Sequence, residues 1–235
     1  MTEQQLRTII AQTAMAEVGY VGPNGPNCKP PLRVNKYAEY LDKVPDFYSG
    51  KKNGYHWCAI FVDYIQMICM GREIMEIATN HHIYGCDCDW GAGQYQKRHE
   101  LFRTTHPEVG DEVFYFKNGE FTHTGIVVSV DKEKFGSVEG NCSNSVKLYY
   151  KKWDADDGYK NYFASPDYAK AAELLTELSA PTEREMNEHE NWAIENGLIV
   201  GDGNGNYNFD EPIKRGHLCS VLYQMYQKFI NNSMR

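Results

Sequence analysis

The chain has 235 residues, of which 42% are hydrophobic and 24% charged, a composition typical of folded proteins and not of disordered ones. Its formal net charge is −8, divided as −3 over residues 1–163 and −5 over residues 164–235, so neither part has the basic surface that nucleic acids require. No apolar run approaches the roughly 18 residues of a membrane-spanning helix, so neither nucleic acid nor membrane is an expected partner.

The N-terminal segment, MTEQQLRTIIAQTAMAE, has none of the features of a secretory signal peptide. It lacks the basic start, the continuous apolar stretch and the small-residue cleavage site. We therefore expect synthesis and folding in a reducing cytoplasm, with a separate route of release if the protein acts outside. The cysteine count is seven, and an odd number in such a chain argues against a full disulfide framework.

The first part of the chain has the apolar spacing of helices. Helices are predicted over residues 3–18, 34–41 and 94–102, with residues 80–93 irregular. The stretch NGYHWCAIFVDYIQMICMG, residues 53–71, predicts another helix that begins near its cysteine and ends at its last glycine. The apolar side chains on one face of that helix are Ile60, Phe61, Tyr64, Ile65 and Ile68.

The hydrophobic period changes after the segment HPEVGD. Five short runs rich in β-branched and aromatic residues follow, separated by turn residues: EVFYF, FTHTGIVVSVD, FGSVEGN, VKLYYKKW and GYKNYFA. Five such strands in series predict an antiparallel sheet, and helices followed by strands predict an α+β fold.

The composition changes again near residue 165. Residues 165–187 are polar, acidic and alanine-containing, and they predict a partly helical linker. A small helical module is predicted over residues 188–235. The expected organisation is thus a domain over residues 1–164, the linker and the module.

Cys58 stands where a loop becomes the apolar helix. The positive end of a helix and its unpaired N–H groups favour a thiolate over a thiol, and the same groups can stabilise an oxyanion formed beside it. His123 is a polar residue within a predicted strand, and Glu139 and Asn141 lie two apart on the next one, which predicts that they share a face. If the strands pair and the helix packs on them, Cys58, His123 and Glu139 meet.

Such a cluster provides a nucleophile, a general base and a group that orients the base. From residue types alone, the alternatives are a core cysteine, a structural histidine on a sheet and a solvated glutamate. The segments YHWCAIFVDYI, THTGIVVSV and VEGN, however, resemble the three signatures of the CHAP family, the cysteine, histidine-dependent amidohydrolases/peptidases. VGDEVFYF resembles the strand that precedes the family's histidine strand, and the resemblance covers roughly residues 3–163.

The resemblance implies a papain-like α+β domain that hydrolyses bacterial peptidoglycan without a cofactor. It implies that Cys58 is the nucleophile, His123 the general base, Glu139 the group that orients the histidine and Asn141 a supporting polar residue. The expected reaction is that of an N-acetylmuramoyl-L-alanine amidase or of a stem or cross-bridge endopeptidase. Many members are phage endolysins, which reach the wall through a membrane lesion and so agree with the N-terminal segment.

A C-terminal segment, WAIENGLIVGDGNGNYNFDEPIKRGHLCSVLYQMYQKF, resembles a single S-layer homology module. That resemblance implies anchoring to peptidoglycan or wall polysaccharide, with Lys214 and Arg215 as the expected wall-binding residues. Of the family's Thr-Arg-Ala-Glu motif only the arginine is present. Three copies usually form the binding surface, so self-association through the module would supply the missing ones.

Metal sites are weaker interpretations of other segments. Four soft ligands that suit zinc are His81, His82, Cys86 and Cys88, although their spacing is unusual and the alternatives are a loop lining the substrate groove or simple packing. The acidic loop in which some CHAP members bind calcium has only Asp42 and Asp46 here, so no calcium site is expected.

An EF-hand-like pattern is present in the C-terminal module, where Asp202, Asn204 and Asn206 alternate. Tyr207 replaces the required glycine and Ile213 the final glutamate, so calcium is not expected there either.

Three aromatic residues near the predicted site, Tyr55, Trp57 and Trp90, are candidates for stacking on sugar or peptide, with packing as the alternative. The sequence thus favours a modular cell-wall hydrolase. Two other classes remain open: a catalytically inactive wall-binding or structural protein, and a papain-like peptidase that processes proteins.

Overall fold

The structure, a computed structural model, describes residues 1–80, 86–98, 102–153, 158–179, 188–196 and 222. The chain divides into two compact units, Met1–Ala180 and Pro181–Arg235. The first unit contains both the predicted helices and the predicted strands, and the fold is α+β, as expected from the sequence.

Helices form the first layer of this unit: α1 (Glu3–Ala16), α2 (Lys36–Leu41), α3 (Cys58–Met70), α4 (Arg72–Thr79) and α5 (Cys88–Gln96). Thr2 and Gln5 form a capping box at the start of α1, and Asn35 caps α2. Gly71, with φ of 75°, ends α3, in agreement with its predicted role.

Two helical segments differ from the sequence prediction. Helix α4 was not predicted, and α5 begins at Cys88, within the stretch expected to be irregular. The side chain of Asp87 accepts a hydrogen bond from the backbone N–H of Trp90, and this cap starts α5 earlier than the apolar spacing suggests.

The second layer is a six-stranded sheet in the order β1-β6-β2-β3-β4-β5, with every neighbouring pair antiparallel. The five predicted strands are confirmed, and a two-residue strand at the sheet edge adds a sixth. The strands are β1 (Phe102–Arg103), β2 (Glu112–Lys117), β3 (Glu120–Val130), β4 (Lys134–Glu139), β5 (Lys147–Lys152) and β6 (Lys160–Ala164).

Helix α3 packs on β3 and also contacts α1 and α2. Its buried apolar side chains, which include Ile60, Phe61 and Ile65, belong to the main core cluster. Gly140 follows β4 and lies directly against this helix: a Cβ there would come within 2.5 Å of the Phe61 Cβ. The glycine therefore lets the end of β4 approach the first turn of α3 closely.

Asn144 joins three segments that are far apart in the chain. Its side-chain oxygen accepts a hydrogen bond from Trp57 Nε1 at 3.0 Å, and its amide nitrogen donates to the Gly25 carbonyl at 2.9 Å. Its own carbonyl accepts the N–H of Gly22 at 2.8 Å. Because Asn144 is buried, these contacts fix the residue before Cys58 against the turn between β4 and β5.

Helix α6 (Tyr168–Ser179) packs on α1 and α4 within the first unit. It buries Tyr168, Ala171 and Ala172. The compact unit therefore extends past the expected boundary at residue 164, because part of the predicted linker contributes to the core. The division into catalytic domain, linker and wall module stays a prediction.

The second unit is described over helix α7 (Glu188–Glu195), Asn196 and Leu222. Lys214, Arg215 and the EF-hand-like pattern lie outside the described residues. Within the described part of the chain, no helix is both long enough and apolar enough to cross a membrane.

Candidate active site

Cys58 is the first residue of α3, and its side chain is largely buried. The residue before it, Trp57, provides no side-chain cap for the helix. The backbone N–H of Ala59 instead hydrogen-bonds the sulfur and helps to lower the Cys58 pKa. The predicted position of the thiol at a helix start is therefore present, with an N–H group directed at it.

His123 lies on β3 in register with Tyr115 of β2, and the two rings stack with centroids 5.8 Å apart. Its Nε2 atom is 2.9 Å from Glu139 Oε2. His123 also hydrogen-bonds Cys58. Because Glu139 occupies Nε2, the nitrogen left to face the thiol is Nδ1, and the predicted meeting of Cys58, His123 and Glu139 is observed.

Glu139 is held in place through its other oxygen. Oε1 accepts hydrogen bonds from Tyr115 Oη at 2.6 Å and from Ser137 Oγ at 2.7 Å, and it forms an ion pair with Lys151 Nζ at 2.9 Å. The carboxylate side chain is only 3% exposed. Burial opposes its ionisation, but the hydrogen bond and charge of His123, with Lys151 and Tyr115, lower the Glu139 pKa to about 2. It therefore remains an anion that fixes the ring of His123.

The thiol and the imidazole favour each other's charged forms. Burial alone would lower the His123 pKa, but its hydrogen bonds with Cys142, Cys58 and Glu139 raise it well above its ordinary value. The Cys58 pKa is lowered well below its ordinary value, first by a hydrogen bond with Cys88 and then, against burial, by His123. The arrangement is that of a thiolate–imidazolium pair, the form in which a cysteine is a strong nucleophile.

Cys88, which the sequence analysis considered only within the possible zinc segment, lies beside Cys58 in the candidate active site. Its sulfur is 3.8 Å from the Cys58 sulfur, and it is the first residue of α5. The hydrogen bond with Cys58, together with burial, raises the Cys88 pKa well above its ordinary value. Because Cys58 also faces His123 and the Ala59 N–H, we assign the thiolate to Cys58 and the donating thiol to Cys88.

This contact predicts that Cys88→Ala makes Cys58 less reactive at acidic pH. Loss of the donor raises the Cys58 pKa, so the thiolate fraction at a fixed pH below that pKa falls, and the alkylation profile moves to higher pH. A hydrogen bond to a charged group contributes about 1.5 kcal/mol or more, so we expect alkylation of Cys58 by iodoacetamide to slow by about tenfold at pH values below the native Cys58 pKa. Peptide mapping by mass spectrometry measures it site by site.

Two variants serve as controls for this measurement. Cys88→Ser keeps an O–H donor and should restore most of the rate. Cys69→Ala should leave the Cys58 alkylation rate unchanged, because the Cys69 thiol lies later on α3 and hydrogen-bonds Thr13 of α1. A profile that does not move in Cys88→Ala would show that the second thiol does not influence the first.

Cys142 is a second residue that the sequence reasoning missed. Its sulfur lies 3.6 Å from His123 Nε2 and 3.8 Å from Glu139 Oε2. It directly follows the Glu-Gly-Asn segment that was assigned to the site, so proximity in sequence was the one signal that indicated it.

Asn141 does not continue the strand as predicted. Strand β4 ends at Glu139, and Asn141 has a left-handed backbone with φ of 61°, so the expectation of a shared strand face is wrong. Its side-chain oxygen accepts from Arg33 at 2.8 Å, and its nitrogen is 3.3 Å from His56 Nδ1. It therefore joins the loops that carry Arg33 and His56, and its supporting role stays a prediction.

The three aromatic candidates have different environments. Trp57 is fully buried against Tyr37 and Tyr20, so the prediction that it stacks on substrate is wrong and packing is its role. Tyr55 is 54% exposed and remains available to a ligand. Trp90 is half-buried in the first turn of α5, two residues after Cys88.

The other predicted metal segments have partial descriptions. His81 and His82 lie outside the described residues, Cys86 is half-buried, and the Cys88 sulfur contacts the Cys58 sulfur. Asp42 accepts the backbone N–H groups of Lys52 and Asn53, so in this loop the carboxylate closes a turn.

A buried thiolate, an imidazolium and a carboxylate in this order are suited to acyl transfer by a covalent route. Comparison with known protein families gives a match that agrees with this geometry. The family model described as "CHAP domain" matches residues 50–141, a range that includes Cys58, His123 and Glu139. No curated protein and no solved structure matches the chain. Residues 50–141 are therefore similar to a CHAP domain, a domain found in amidases and peptidases related to peptidoglycan.

Proposed function

We propose that the protein hydrolyses an amide bond of bacterial peptidoglycan through a thioester on Cys58. The bond is either the one between the muramic acid lactyl group and L-alanine or one within the stem or cross-bridge peptide. The observation that carries this proposal is the chain of contacts from Cys58 through His123 to Glu139, inside the segment that matches a CHAP domain.

In the first half of the reaction, the Cys58 thiolate attacks the substrate carbonyl carbon, and the C=O electron pair moves to the oxygen. The N–H groups at the start of α3, including that of Ala59, are placed to stabilise this oxyanion. When the tetrahedral intermediate collapses, the C–N bond breaks, and His123 donates its Nδ1 proton to the departing amine. A thioester and a neutral imidazole result.

In the second half, neutral His123 accepts a proton from water as the water oxygen attacks the thioester carbonyl. The C–S bond then breaks, the acid product leaves, and the thiolate–imidazolium pair is restored. Glu139 stays ionised throughout and holds the ring through Nε2, since its pKa of about 2 lies far below neutral pH. Burial of the Cys58 sulfur limits its exposure to water between turnovers.

The rest of the chain supports an endolysin-like role in this proposal. Tyr55, on the loop before Cys58, is exposed and suited to contact sugar or peptide. Residues 188–235 would hold the enzyme on peptidoglycan or wall polysaccharide through Lys214 and Arg215, with self-association supplying further copies. An acidic enzyme on an anionic wall benefits from such an anchor, because net charge alone would repel the two. In this role the protein is made in the host cytoplasm and reaches the wall after release.

Digestion of purified peptidoglycan tests the activity directly. We expect the full chain to release soluble muropeptides, and mass spectrometry of the products to show either peptides freed from intact glycan strands or new peptide termini within the stem or cross-bridge. Walls with different cross-bridges should be digested in parallel, with casein as a protein substrate. Cleavage of casein with no product from any wall would contradict the proposal and favour a protein-processing peptidase.

A further inference from the structure

We propose that His123, Glu139 and Cys142 form a zinc-binding site that switches the hydrolase off. The inference rests on the proposed function for its effect on activity, but the binding site itself does not depend on it. The three side chains are a nitrogen, an oxygen and a sulfur donor that lie within 4.8 Å of one another. They come from β3, the end of β4 and the turn that follows it.

The spacing of the donor atoms suits a tetrahedral zinc ion. Zinc lies about 2.3 Å from sulfur and about 2.0–2.1 Å from nitrogen or oxygen, so tetrahedral angles set S–N and S–O edges of roughly 3.5 Å and an N–O edge of roughly 3.3 Å. The corresponding separations are 3.6 Å from Cys142 Sγ to His123 Nε2, 3.8 Å from Cys142 Sγ to Glu139 Oε2, and 2.9 Å from Nε2 to Oε2. Shifts of a few tenths of an ångström convert one set into the other.

The surroundings orient one of the three ligands, Glu139. Tyr115, Ser137 and Lys151 all engage Glu139 Oε1, which leaves Oε2 directed at His123 and Cys142. Such outer contacts orient a ligand and strengthen its hold on a metal. The His123 side chain is 24% exposed and Cys142 is half-buried, so solvent has access to the fourth position.

The donor set selects the class of metal. Calcium and magnesium prefer six or more oxygen ligands, and a site with one carboxylate oxygen, one imidazole and one thiolate does not suit them. Zinc and similar thiophilic divalent cations accept this combination. Lys151, whose charge is beside Oε1, opposes the cation, so the site is suited to reversible binding.

Metal binding and catalysis compete for the same imidazole ring, the metal through Nε2 and the reaction through Nδ1. Zinc replaces the proton on Nε2 and the proton on the Cys142 thiol, so binding releases protons and strengthens as pH rises. It also takes Oε2 from the histidine. With the metal on Nε2, the imidazole has only its Nδ1 proton and cannot cycle between neutral and doubly protonated forms, and both halves of the proposed reaction need that cycle.

Cobalt(II), which binds such sites and gives a thiolate charge-transfer absorption in the near ultraviolet, reports the site without any activity measurement. We expect both the full chain and the Cys58→Ala variant to show this absorption, and zinc to displace the cobalt ion. Cys142→Ser should lose the absorption and weaken binding by about 100-fold, since even outer contacts typically contribute 10- to 100-fold. Cys88→Ser, which alters the neighbouring thiol pair instead, should retain both.

Activity forms the second arm, with each variant compared with its own rate in the presence of a strong chelator. Zinc should inhibit wall digestion by the native chain, the chelator should restore it, and Cys142→Ser should need about 100-fold more zinc for the same inhibition. The proposal is overturned if the cobalt absorption persists in Cys142→Ser, if it disappears in Cys88→Ser, or if zinc raises the rate. Failure to digest any wall would count against the proposed function and leave the cobalt result standing.

Discussion

The Cys58→Ala variant is expected to release muropeptides from purified peptidoglycan at a rate lower than that of the native chain by about 10⁴-fold or more. The alanine cannot form the thioester, and loss of the nucleophile in comparable catalytic clusters costs as much as loss of the whole cluster. The fold should persist, because the change removes a single sulfur from a site at the helix start. Turbidity loss and muropeptide release measure the activity, and circular dichroism with thermal melting measures the fold.

The matched control for this experiment is Cys69→Ala, a cysteine later in the same helix. Its thiol donates to Thr13 Oγ1 at 3.4 Å, and its pKa is raised by burial, so it lacks the thiolate character of Cys58. It should digest walls at close to the native rate. If Cys58→Ala digested them equally well, Cys58 would be a core residue and the protein would belong to the inactive or structural class.

The second large effect is expected for His123→Ala, which should lower wall digestion by about 10³- to 10⁴-fold. General acid–base catalysis alone contributes roughly 10² to 10⁴, and the nucleophile also loses its partner. Because the imidazolium lowers the Cys58 pKa, its removal raises that pKa, and the thiolate persists only at higher pH. Alkylation of Cys58 should therefore shift to higher pH while turnover falls.

A surface histidine provides the control that distinguishes loss of the His123 imidazole from the loss of any histidine. His106 is exposed and its ring is tilted against that of Trp153, so His106→Ala should leave both the turnover and the alkylation profile unchanged. The double variant Cys58→Ala with His123→Ala should be no slower than Cys58→Ala alone, because the two residues act as a unit. If the Cys58 alkylation profile is unchanged in His123→Ala, the imidazole does not lower the Cys58 pKa and this prediction is wrong.

Much of the fold could be predicted from the sequence because its elements follow simple periods. The core face of α3 repeats at helical spacing, and the five long strands are separated by turn residues. Helix α5 was misplaced because a single side chain, Asp87, starts it, and a cap of this kind overrides a weak apolar pattern. The sixth strand has two residues, too few for any period to show.

The candidate active site was predictable where the secondary-structure element of a residue sets the direction of its side chain. A cysteine at a helix start and a histidine on a paired strand have such directions, so Cys58 and His123 were found. Cys88 and Cys142 contribute through approaches between segments that no local pattern encodes. Trp57 illustrates the reverse error: its place beside the nucleophile suggested substrate contact, but the ring points into the core.

The contacts of Asn144 have a consequence for when the geometry around Cys58 forms during folding. They tie Trp57 to a turn 87 residues away and the Gly25 carbonyl to a side chain 119 residues away. Closing long loops of this kind costs conformational entropy, and proteins rich in such non-local contacts fold slowly. We therefore expect the geometry that lowers the Cys58 pKa to be complete only when the helices have packed on the whole sheet. In an incompletely folded chain Cys58 would have the reactivity of an ordinary cysteine, so rapid alkylation of Cys58 would report complete folding.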